Sequence, residues 1–166
     1  FGFMIALIIF FDDGGPIFFK QKRVGKNNKI FLLYKFRTMI KRTPNIATDQ
    51  LISPNQYCTR FGRIIRKLSI DEFPQLYNIF KGEIYFIGPR PALYNQYELI
   101  NKRTKLGISK LMPGITGWAQ VNGRDLIGLN SKIELDEYYM INKSFLLNIK
   151  IIFLTFIKAI RMDDIK

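Results

Sequence analysis

Residues 60–82 read RFGRIIRKLSIDEFPQLYNIFKG, and their pattern predicts two successive helices. Apolar residues recur three and four positions apart over 60–68, which is typical of an amphipathic helix. One face of that helix carries Phe61, Ile64, Ile65 and Leu68, and another carries Arg60, Arg63, Arg66 and Lys67. The second helix is expected to begin at Ser69 or Asp71, where capping-box spacing occurs, and to end at Gly82. Asp71 and Glu72 would then lie at a helix start beside a basic surface.

Before this segment, the chain predicts a β-hairpin. Aromatic and β-branched residues fill 17–23 and 30–37, and turn residues occupy 25–28 between them. After it, we expect a short strand at 84–87 and helices at 92–105, 131–140 and 145–160, with surface or ligand-binding loops at 43–59 and 113–124. This order predicts a single helix-rich α+β domain with a small β-sheet.

The composition allows one compact core and favours an anionic partner. A chain of 166 residues with 48% hydrophobic composition is long enough for one domain. Its 26 basic and 13 acidic residues give a formal charge of +13. Nucleic acid, anionic lipid and a phosphorylated substrate all fit that charge, so charge alone leaves the three open.

Two residue types that are absent or rare exclude several kinds of catalysis. The chain has no histidine, which removes the usual general base, the Ser-His triad and most transition-metal sites. Its single cysteine, Cys58, excludes an intramolecular disulfide and a cysteine-based zinc site, and it fits a reducing compartment. Catalysis would therefore depend on carboxylates, lysine, arginine or a hard cation.

Two apolar segments point to contact with a membrane. Residues 1–11 contain no charged side chain, but they are about half of the roughly 20 residues that a spanning helix needs. They are expected to form either a core element or part of a membrane segment. The helix predicted at 145–160 combines a wide apolar face with Lys150, Lys158 and Arg161, which is typical of a helix lying in a membrane interface.

The adjacent carboxylates of Asp71 and Glu72 are the strongest candidates for chemistry. In a chain without histidine, a carboxylate near cations and a helix start can act as a nucleophile. Its neighbour can hold a magnesium ion that bridges phosphate oxygens. The alternative is that both residues are N-terminal capping acids, which is the commoner role of acidic residues at such positions.

Several other side chains are candidates for substrate binding. A phosphorylated substrate needs fixed cations, and the candidates are Lys35, Arg37, Arg66, Arg90 and Arg124. Each is by default a solvated charge, but Arg90 lies in a turn that two prolines make rigid. Trp118 can stack on a nucleobase or sugar, although core packing is the commoner role. Asp136 is a further candidate metal or substrate ligand, with a solvated helix face as the alternative.

Five motifs follow one another along the chain. They are GPIFFKQ at 15–21, followed by Arg23 and Gly25, then KFRTM at 35–39, LSIDEFPQL at 68–76, GPRP at 88–91 and PGITGWAQVNGR at 113–124. Any one of them could arise by chance, whereas the set in this order is highly specific. From 15 to about 160 the chain thereby resembles the bacterial sugar transferases, also called monotopic phosphoglycosyl transferases.

That resemblance implies a two-step transfer. Asp71 matches the family's nucleophile and would attack the β-phosphorus of a UDP-sugar with release of UMP. Polyprenyl phosphate would then resolve the aspartyl phosphosugar intermediate. Glu72 matches the second acidic residue of the family and would help to hold Mg²⁺. The family's polar active-site set matches Lys35, Arg66, Arg90, Arg124 and Asp136.

The resemblance also implies where the protein acts. Residues 1–11 would be the remnant of a re-entrant membrane helix, and 12–166 would form the catalytic domain, with interfacial amphipathic helices on the cytoplasmic face of the bacterial inner membrane. The expected partners are a UDP-sugar donor, a polyprenyl (undecaprenyl) phosphate acceptor and membrane lipid, with no nucleic acid. The reaction would be the first membrane step of surface glycan or glycoprotein biosynthesis. Two alternatives stay open: a basic nucleic-acid-binding module, and an inactive membrane-associated scaffold of the same fold.

Overall fold

The structure, a computed structural model, describes residues 2–44, 53–123 and 127–161. In these ranges the helices are α1 (Gly2–Asp13), α2 (Arg60–Lys67), α3 (Gln75–Phe80), α4 (Tyr97–Lys105), α5 (Trp118–Val121), α6 (Leu129–Asn142) and α7 (Phe145–Arg161). The strands are β1 (Phe18–Val24), β2 (Ile30–Phe36), β3 (Tyr85–Ile87), β4 (Ala92–Leu93) and β5 (Gly114–Thr116). The expected mixture of helices with small sheets is confirmed.

The predicted hairpin is confirmed, and it forms two of the three strands of the larger sheet. β1 pairs antiparallel with β2 along its whole length, and β4 pairs antiparallel with the end of β1. Between β1 and β2 the chain passes through a short 3₁₀ turn, Lys26–Asn28, in which Asn27 and Asn28 have positive φ. Asparagine tolerates this left-handed conformation better than most residues, which explains why the turn forms at this point.

Strand β2 lies between two hydrophobic clusters because its side chains alternate between the faces of the sheet. Phe31 and Leu33 pack with Ile84 on one face. Phe36 packs on the opposite face, in a cluster that also contains Ile5, Ile9 and Ile65. Lys35 continues the row of Phe31 and Leu33, so the pleat directs its ammonium group away from the helices α1 and α2 that cover Phe36.

A second, parallel sheet of β3 and β5 leads into the 88–91 turn. Gly88 donates its N–H to the carbonyl of Thr116 at 2.9 Å, and Gly114 donates to the carbonyl of Pro89 at 3.0 Å. A Cβ at Gly88 would overlap the carbonyl oxygen of Met112. Because only glycine allows so close an approach of two backbones, the turn is fixed against β5.

Two predicted segments differ from the structure at their ends. The helix expected at 92–105 begins only at Tyr97, because Ala92 and Leu93 pair with β1 as strand β4. The segment 113–124, expected to be a loop with a short strand, also contains the helix α5 directly after β5. Part of the loop expected at 43–59 falls on 45–52, outside the described residues.

The single helix expected between Ser69 and Gly82 is divided in two. Ile70–Glu72 forms a 3₁₀ turn, here called the acidic turn, and α3 begins only after Pro74. Proline can occupy a helix start but breaks a helix interior, so the chain cannot continue as one helix through this position. Among the described residues, neither the acidic turn nor α3 receives a side-chain capping hydrogen bond at its start. The predicted capping box is therefore wrong. Gly82 follows α3 with a φ of 70°, as expected of a helix end.

The two predicted C-terminal helices are confirmed as α6 and α7. Ile133 of α6 packs in a cluster with Ala92, Leu99 and Ile108. Ile151 of α7 is fully buried in another, with Val121 and Tyr139. Within the residues that the structure describes, no helix combines the length and the apolar character needed to cross a bilayer.

Candidate active site

Asp71 and Glu72 lie together in the acidic turn that connects α2 to α3. Their side chains are 9% and 11% exposed, so both carboxylates are largely withdrawn from solvent. Ser69, directly before them, adopts a left-handed conformation with a φ of 54°. Positive φ is uncommon in residues other than glycine, and here it turns two adjacent acidic groups towards β2.

One lysine of β2 contacts both carboxylates. The ammonium nitrogen of Lys35 lies 2.6 Å from Oε1 of Glu72 and 3.7 Å from Oδ2 of Asp71. Burying two neighbouring carboxylates is costly unless a cation accompanies them. Lys35 therefore supplies the positive charge that allows Asp71 and Glu72 to lie side by side in a partly buried site.

Arg90 brings a second cation to the same pair from the 88–91 turn. Its Nη1 lies 3.8 Å from Oε1 of Glu72, and its side chain is half-buried. Lys35 and Arg90 thus approach Glu72 from different elements, β2 and the turn after β3. Fixed cations beside a carboxylate pair are the groups that recognition of a phosphate requires.

Three successive carbonyls of the 88–91 turn are held by three different elements. Gly114 of β5 donates to the carbonyl of Pro89, as described above. Nη1 of Arg103 in α4 donates to the carbonyl of Arg90 at 2.8 Å. Nη1 of Arg23 in β1 donates to the carbonyl of Pro91 at 2.9 Å. The backbone that carries the Arg90 side chain is therefore fixed before any ligand binds.

Two further predicted cations are Arg66 and Arg124. Arg66 lies in the last turn of α2, which packs against the acidic turn, and its Nη1 lies 3.8 Å from the Sγ atom of Cys58. Arg124 falls outside the described residues. Of the five predicted cations, the structure brings Lys35 and Arg90 directly to the carboxylates.

Arg37 is bonded to the backbone at the end of α1. Its guanidinium donates to the carbonyls of Asp13 and Gly15, each at 3.1 Å, and also to that of Gly14, and it lies 3.3 Å from the carboxylate of Asp13. A side chain that is 7% exposed and bonded to three carbonyls stabilises the fold at this point. Arg37, which directly follows β2, thus ties the end of α1 to the end of that strand.

Asp136 is buried, so the alternative of a solvated helix face is wrong. Its residue is 1% exposed, and its Oδ2 accepts hydrogen bonds from Nε of Arg103 at 3.0 Å and from Nη2 of the same guanidinium. Burial raises the pKa of the Asp136 carboxyl above its ordinary value, and the charge of Arg103 opposes that shift. Asp136 is thus connected to the site through Arg103 and the backbone of Arg90.

Trp118 packs against protein side chains. Its ring stacks on Tyr138 with 5.6 Å between centroids, and the ammonium nitrogen of Lys150 lies 5.3 Å from its centroid. It also packs against the buried cluster of Val121, Tyr139 and Ile151. These surroundings are those of a packed side chain, which is the commoner of the two roles that the sequence left open.

The carboxylates of the acidic turn could hold a hard cation only if a bound substrate supplied further oxygen atoms. No three acidic or cysteine side chains come together to form a metal site in the described part of the chain. Asp71 and Glu72 provide two neighbouring carboxylates. Mg²⁺ is commonly bound through one or two carboxylates, with water and substrate phosphates completing its shell, so this pair fits a Mg²⁺ ion that binds with a phosphorylated substrate.

Arg103 lies near the site but is not among the residues predicted from the sequence. A signal was present, because Arg103 follows the buried Leu99 by four positions and Asp136 follows the buried Ile133 by three. Each charge therefore lies on the apolar face of its helix. Two opposite charges on the buried faces of two predicted helices could have been paired on that basis.

Comparisons with known proteins agree on one family. The sequence profile described as bacterial sugar transferase matches residues 1–162. The uncharacterized sugar transferase EpsL of Bacillus subtilis (strain 168) is 44% identical over 153 residues, covering 92% of this chain and 74% of EpsL. The undecaprenyl-phosphate glucose phosphotransferase of Komagataeibacter xylinus is 40% identical over 163 residues, covering 92% of this chain and 31% of that protein.

A third relative has a donor in its name. The UDP-N-acetylgalactosamine-undecaprenyl-phosphate N-acetylgalactosaminephosphotransferase of Aeromonas hydrophila is 37% identical over 155 residues, covering 90% of this chain and 37% of that protein. The chain thus spans about three quarters of EpsL and about a third of the other two relatives. The matched range of the family profile includes Lys35, the acidic turn and Arg90. The chain therefore belongs to the bacterial sugar transferase family.

Proposed function

We propose that this protein transfers a sugar phosphate from a UDP-sugar to a polyprenyl phosphate and releases UMP. The observation that carries the proposal is the contact of Lys35 with both Asp71 and Glu72 in a partly buried site. Family membership supports it, because two relatives are named as undecaprenyl-phosphate phosphotransferases and one of these names includes a UDP-sugar.

In the first step, Asp71 is the nucleophile. One of its carboxylate oxygens forms a bond to the β-phosphorus of the donor, and the bond from that phosphorus to the oxygen bridging the α-phosphate breaks. The bridging oxygen leaves with the electron pair as part of UMP. The products are UMP and a sugar phosphate joined to Asp71 as an acyl phosphate. A carboxylate fits this role in a chain without histidine.

In the second step, an oxygen of polyprenyl phosphate attacks the same phosphorus. The bond between phosphorus and the Asp71 oxygen breaks, and its electron pair restores the carboxylate. The product is a polyprenyl diphosphate sugar. Both steps occur at one phosphorus atom, so one set of cations serves both.

The cations around the acidic turn are proposed to bind and stabilise the phosphoryl group. Lys35 and Arg90 are preorganised beside Glu72, so little reorganisation is needed when negative charge develops on the phosphate oxygens. Arg66 and Arg124 are proposed as further phosphate ligands. Glu72 is the proposed protein ligand of Mg²⁺, which when bound supplies positive charge to the diphosphate oxygens.

We further propose that the protein acts on the cytoplasmic face of the bacterial inner membrane. Large apolar side chains are exposed on α1, including Phe3 and Phe11, and on α7, including Phe153 and Phe156. Exposed apolar patches mark protein or membrane interaction sites, and a polyprenyl carrier resides in lipid. An apolar face with nearby lysines is what an interfacial helix needs, so α7 is proposed to lie in the bilayer surface.

Release of UMP tests the proposed reaction. The protein, purified in detergent or nanodiscs, is incubated with Mg²⁺, undecaprenyl phosphate and each member of a panel of UDP-sugars. We expect at least one donor to give UMP and an equal amount of lipid-linked diphosphate sugar, and Asp71→Asn to abolish both. Wild-type turnover in the Asp71→Asn protein would exclude this residue from the mechanism.

UMP release, together with a test of oligonucleotide binding, distinguishes this function from the two others that the sequence left open. An inactive scaffold would bind vesicles and release no UMP with any donor. A nucleic-acid-binding module would still retard oligonucleotides at physiological salt, where the non-specific attraction due to the net charge of +13 is weakened. Turnover with a UDP-sugar, together with no retardation at that salt concentration, excludes both.

A further inference from the structure

We propose that Arg103, held by the buried carboxylate of Asp136, is a positioning residue that fixes Arg90 in the active site. The proposal rests on the proposed function in one respect: Arg90 is taken to bind the phosphates of the donor. Arg103 itself contacts the backbone of the turn and is not expected to touch the substrate.

The contacts of Arg103 connect three elements through one planar group. Nε and Nη2 donate to Oδ2 of Asp136 in α6, and Nη1 donates to the carbonyl of Arg90 at 2.8 Å. A guanidinium holds its donors in a rigid plane, so fixing one edge on Asp136 also fixes the direction of Nη1. The location of the Arg90 backbone is thereby set by α4 and α6.

A role in stability alone does not explain this pair. Asp136 is 1% exposed, and it lies beside an apolar cluster that includes Leu99 and Ile133. A buried ion pair of this kind often contributes less to stability than apolar side chains of the same volume would. The chain nevertheless places both charges there, and what the pair fixes is the carbonyl of a residue that contacts Glu72.

Removing Arg103 should loosen Arg90 without unfolding the turn. The carbonyl of Pro89 would still accept from Gly114, and that of Pro91 would still accept from Arg23. The carbonyl of Arg90, between these two anchors, would lose its hydrogen bond from Arg103. The guanidinium of Arg90 would then sample positions away from Glu72, and phosphate binding would weaken.

A double-mutant cycle tests this dependence. Arg103→Ala and Arg90→Ala should each lower kcat/KM for the UDP-sugar by about 10- to 100-fold, the scale on which misplacement of a binding group is felt. The double variant should be no worse than Arg90→Ala alone, because Arg103 acts through Arg90. If the two effects multiply, Arg103 does not act through Arg90 and the proposal is overturned.

Three further variants guard against a purely structural effect. Arg103→Lys keeps the charge but lacks the planar set of hydrogen-bond donors. It should therefore recover only part of the activity that Arg103→Ala loses. Asp136→Asn should also lower kcat/KM, because Arg103 loses the carboxylate that holds it. Lys105→Ala removes an exposed charge from the same helix and should leave kcat/KM unchanged. Full recovery by Arg103→Lys would contradict the need for a fixed guanidinium.

Amide hydrogen exchange gives a measurement that does not depend on turnover. Arg103→Ala should raise exchange about tenfold or more in a peptide covering 88–92 and leave the peptide covering 31–36 unchanged. Unchanged exchange at 88–92, or a uniform rise in both peptides, would overturn the positioning role. If the wild type releases no UMP but 88–92 loosens as expected, the proposed function fails and the positioning role stands.

Discussion

The ammonium nitrogen of Lys35 lies 2.6 Å from Oε1 of Glu72, and this contact joins the β1–β2 hairpin to the acidic turn. The two residues are 37 positions apart in sequence, so the site forms only when β2 and the turn are packed together. Glu72 also lies 3.8 Å from Arg90, which places one carboxylate between two cations. The site is therefore sensitive to single changes of charge.

Replacing Lys35 with methionine tests the importance of the shared cation. The methionine stem fills similar space, but Asp71 and Glu72 lose the charge that offsets their repulsion and the phosphate loses a cation. We expect UMP release to slow by about 10²- to 10³-fold, the range found when one preorganised electrostatic group is removed. Lys20→Met, which changes an exposed lysine of β1, is the matched control and should keep the wild-type rate. Equal rates in both variants would contradict the role of Lys35.

Replacing Arg37 with alanine should reduce stability. The three carbonyls at the end of α1 lose their shared donor, so we expect the free energy of unfolding to fall by about 1.5–3 kcal/mol. Denaturant titration provides the measurement, with the exposed Arg42→Ala as control. A variant as stable as the wild type but with a raised KM for the donor would return Arg37 to the list of phosphate ligands.

Asp136 should make stability depend on pH. Burial raises the pKa of this carboxyl above its ordinary 3.8, so the folded protein keeps the proton at pH values where the unfolded chain has released it. Stability should therefore fall as pH rises from 3.8 through the raised pKa, and Asp136→Asn should remove that part of the slope. Free energies of unfolding for both proteins between about pH 3 and pH 7 provide the comparison. Identical slopes would show that Asp136 does not contribute in this way.

The apolar face of α7 should bind lipid. Phe153 and Phe156 are 63% and 64% exposed, and each buried phenylalanine contributes about 1.5–3 kcal/mol. Phe153→Ser and Phe156→Ser should each lower affinity for anionic phospholipid vesicles by about tenfold or more in co-sedimentation. Ser131→Ala, on α6, is the control. Unchanged affinity in both phenylalanine variants would exclude α7 from the membrane surface.

Local sequence patterns predicted most of the elements and the centre of the site. The run of aromatic and β-branched residues at 30–37 predicted β2, and the periodicity of 60–68 predicted α2. Asp71 and Glu72 could be selected because they are adjacent and follow a basic helix. The break at Pro74 was not predicted, because helix signals occur on both sides of it and are compatible with one element.

The roles of individual charges could not be predicted, because they depend on distant partners. Arg37 meets carbonyls 22 to 24 positions away, and Arg103 meets a carboxylate 33 positions away. Lys35 and Arg37 are two positions apart in sequence, and no local sequence feature distinguishes them. Lys35 nevertheless contacts the acidic turn, whereas Arg37 supports the fold. The packing of α1 against β2 and α2 makes that difference.

The most direct test of the mechanism is to look for the sugar phosphate on Asp71. The protein is treated with a productive UDP-sugar and Mg²⁺ in the absence of polyprenyl phosphate, digested, and analysed by mass spectrometry. We predict that the peptide containing Asp71 gains the mass of one sugar phosphate less one water, and that adding the acceptor removes it. UMP release without this adduct on that peptide, under conditions that preserve acyl phosphates, would contradict the covalent mechanism.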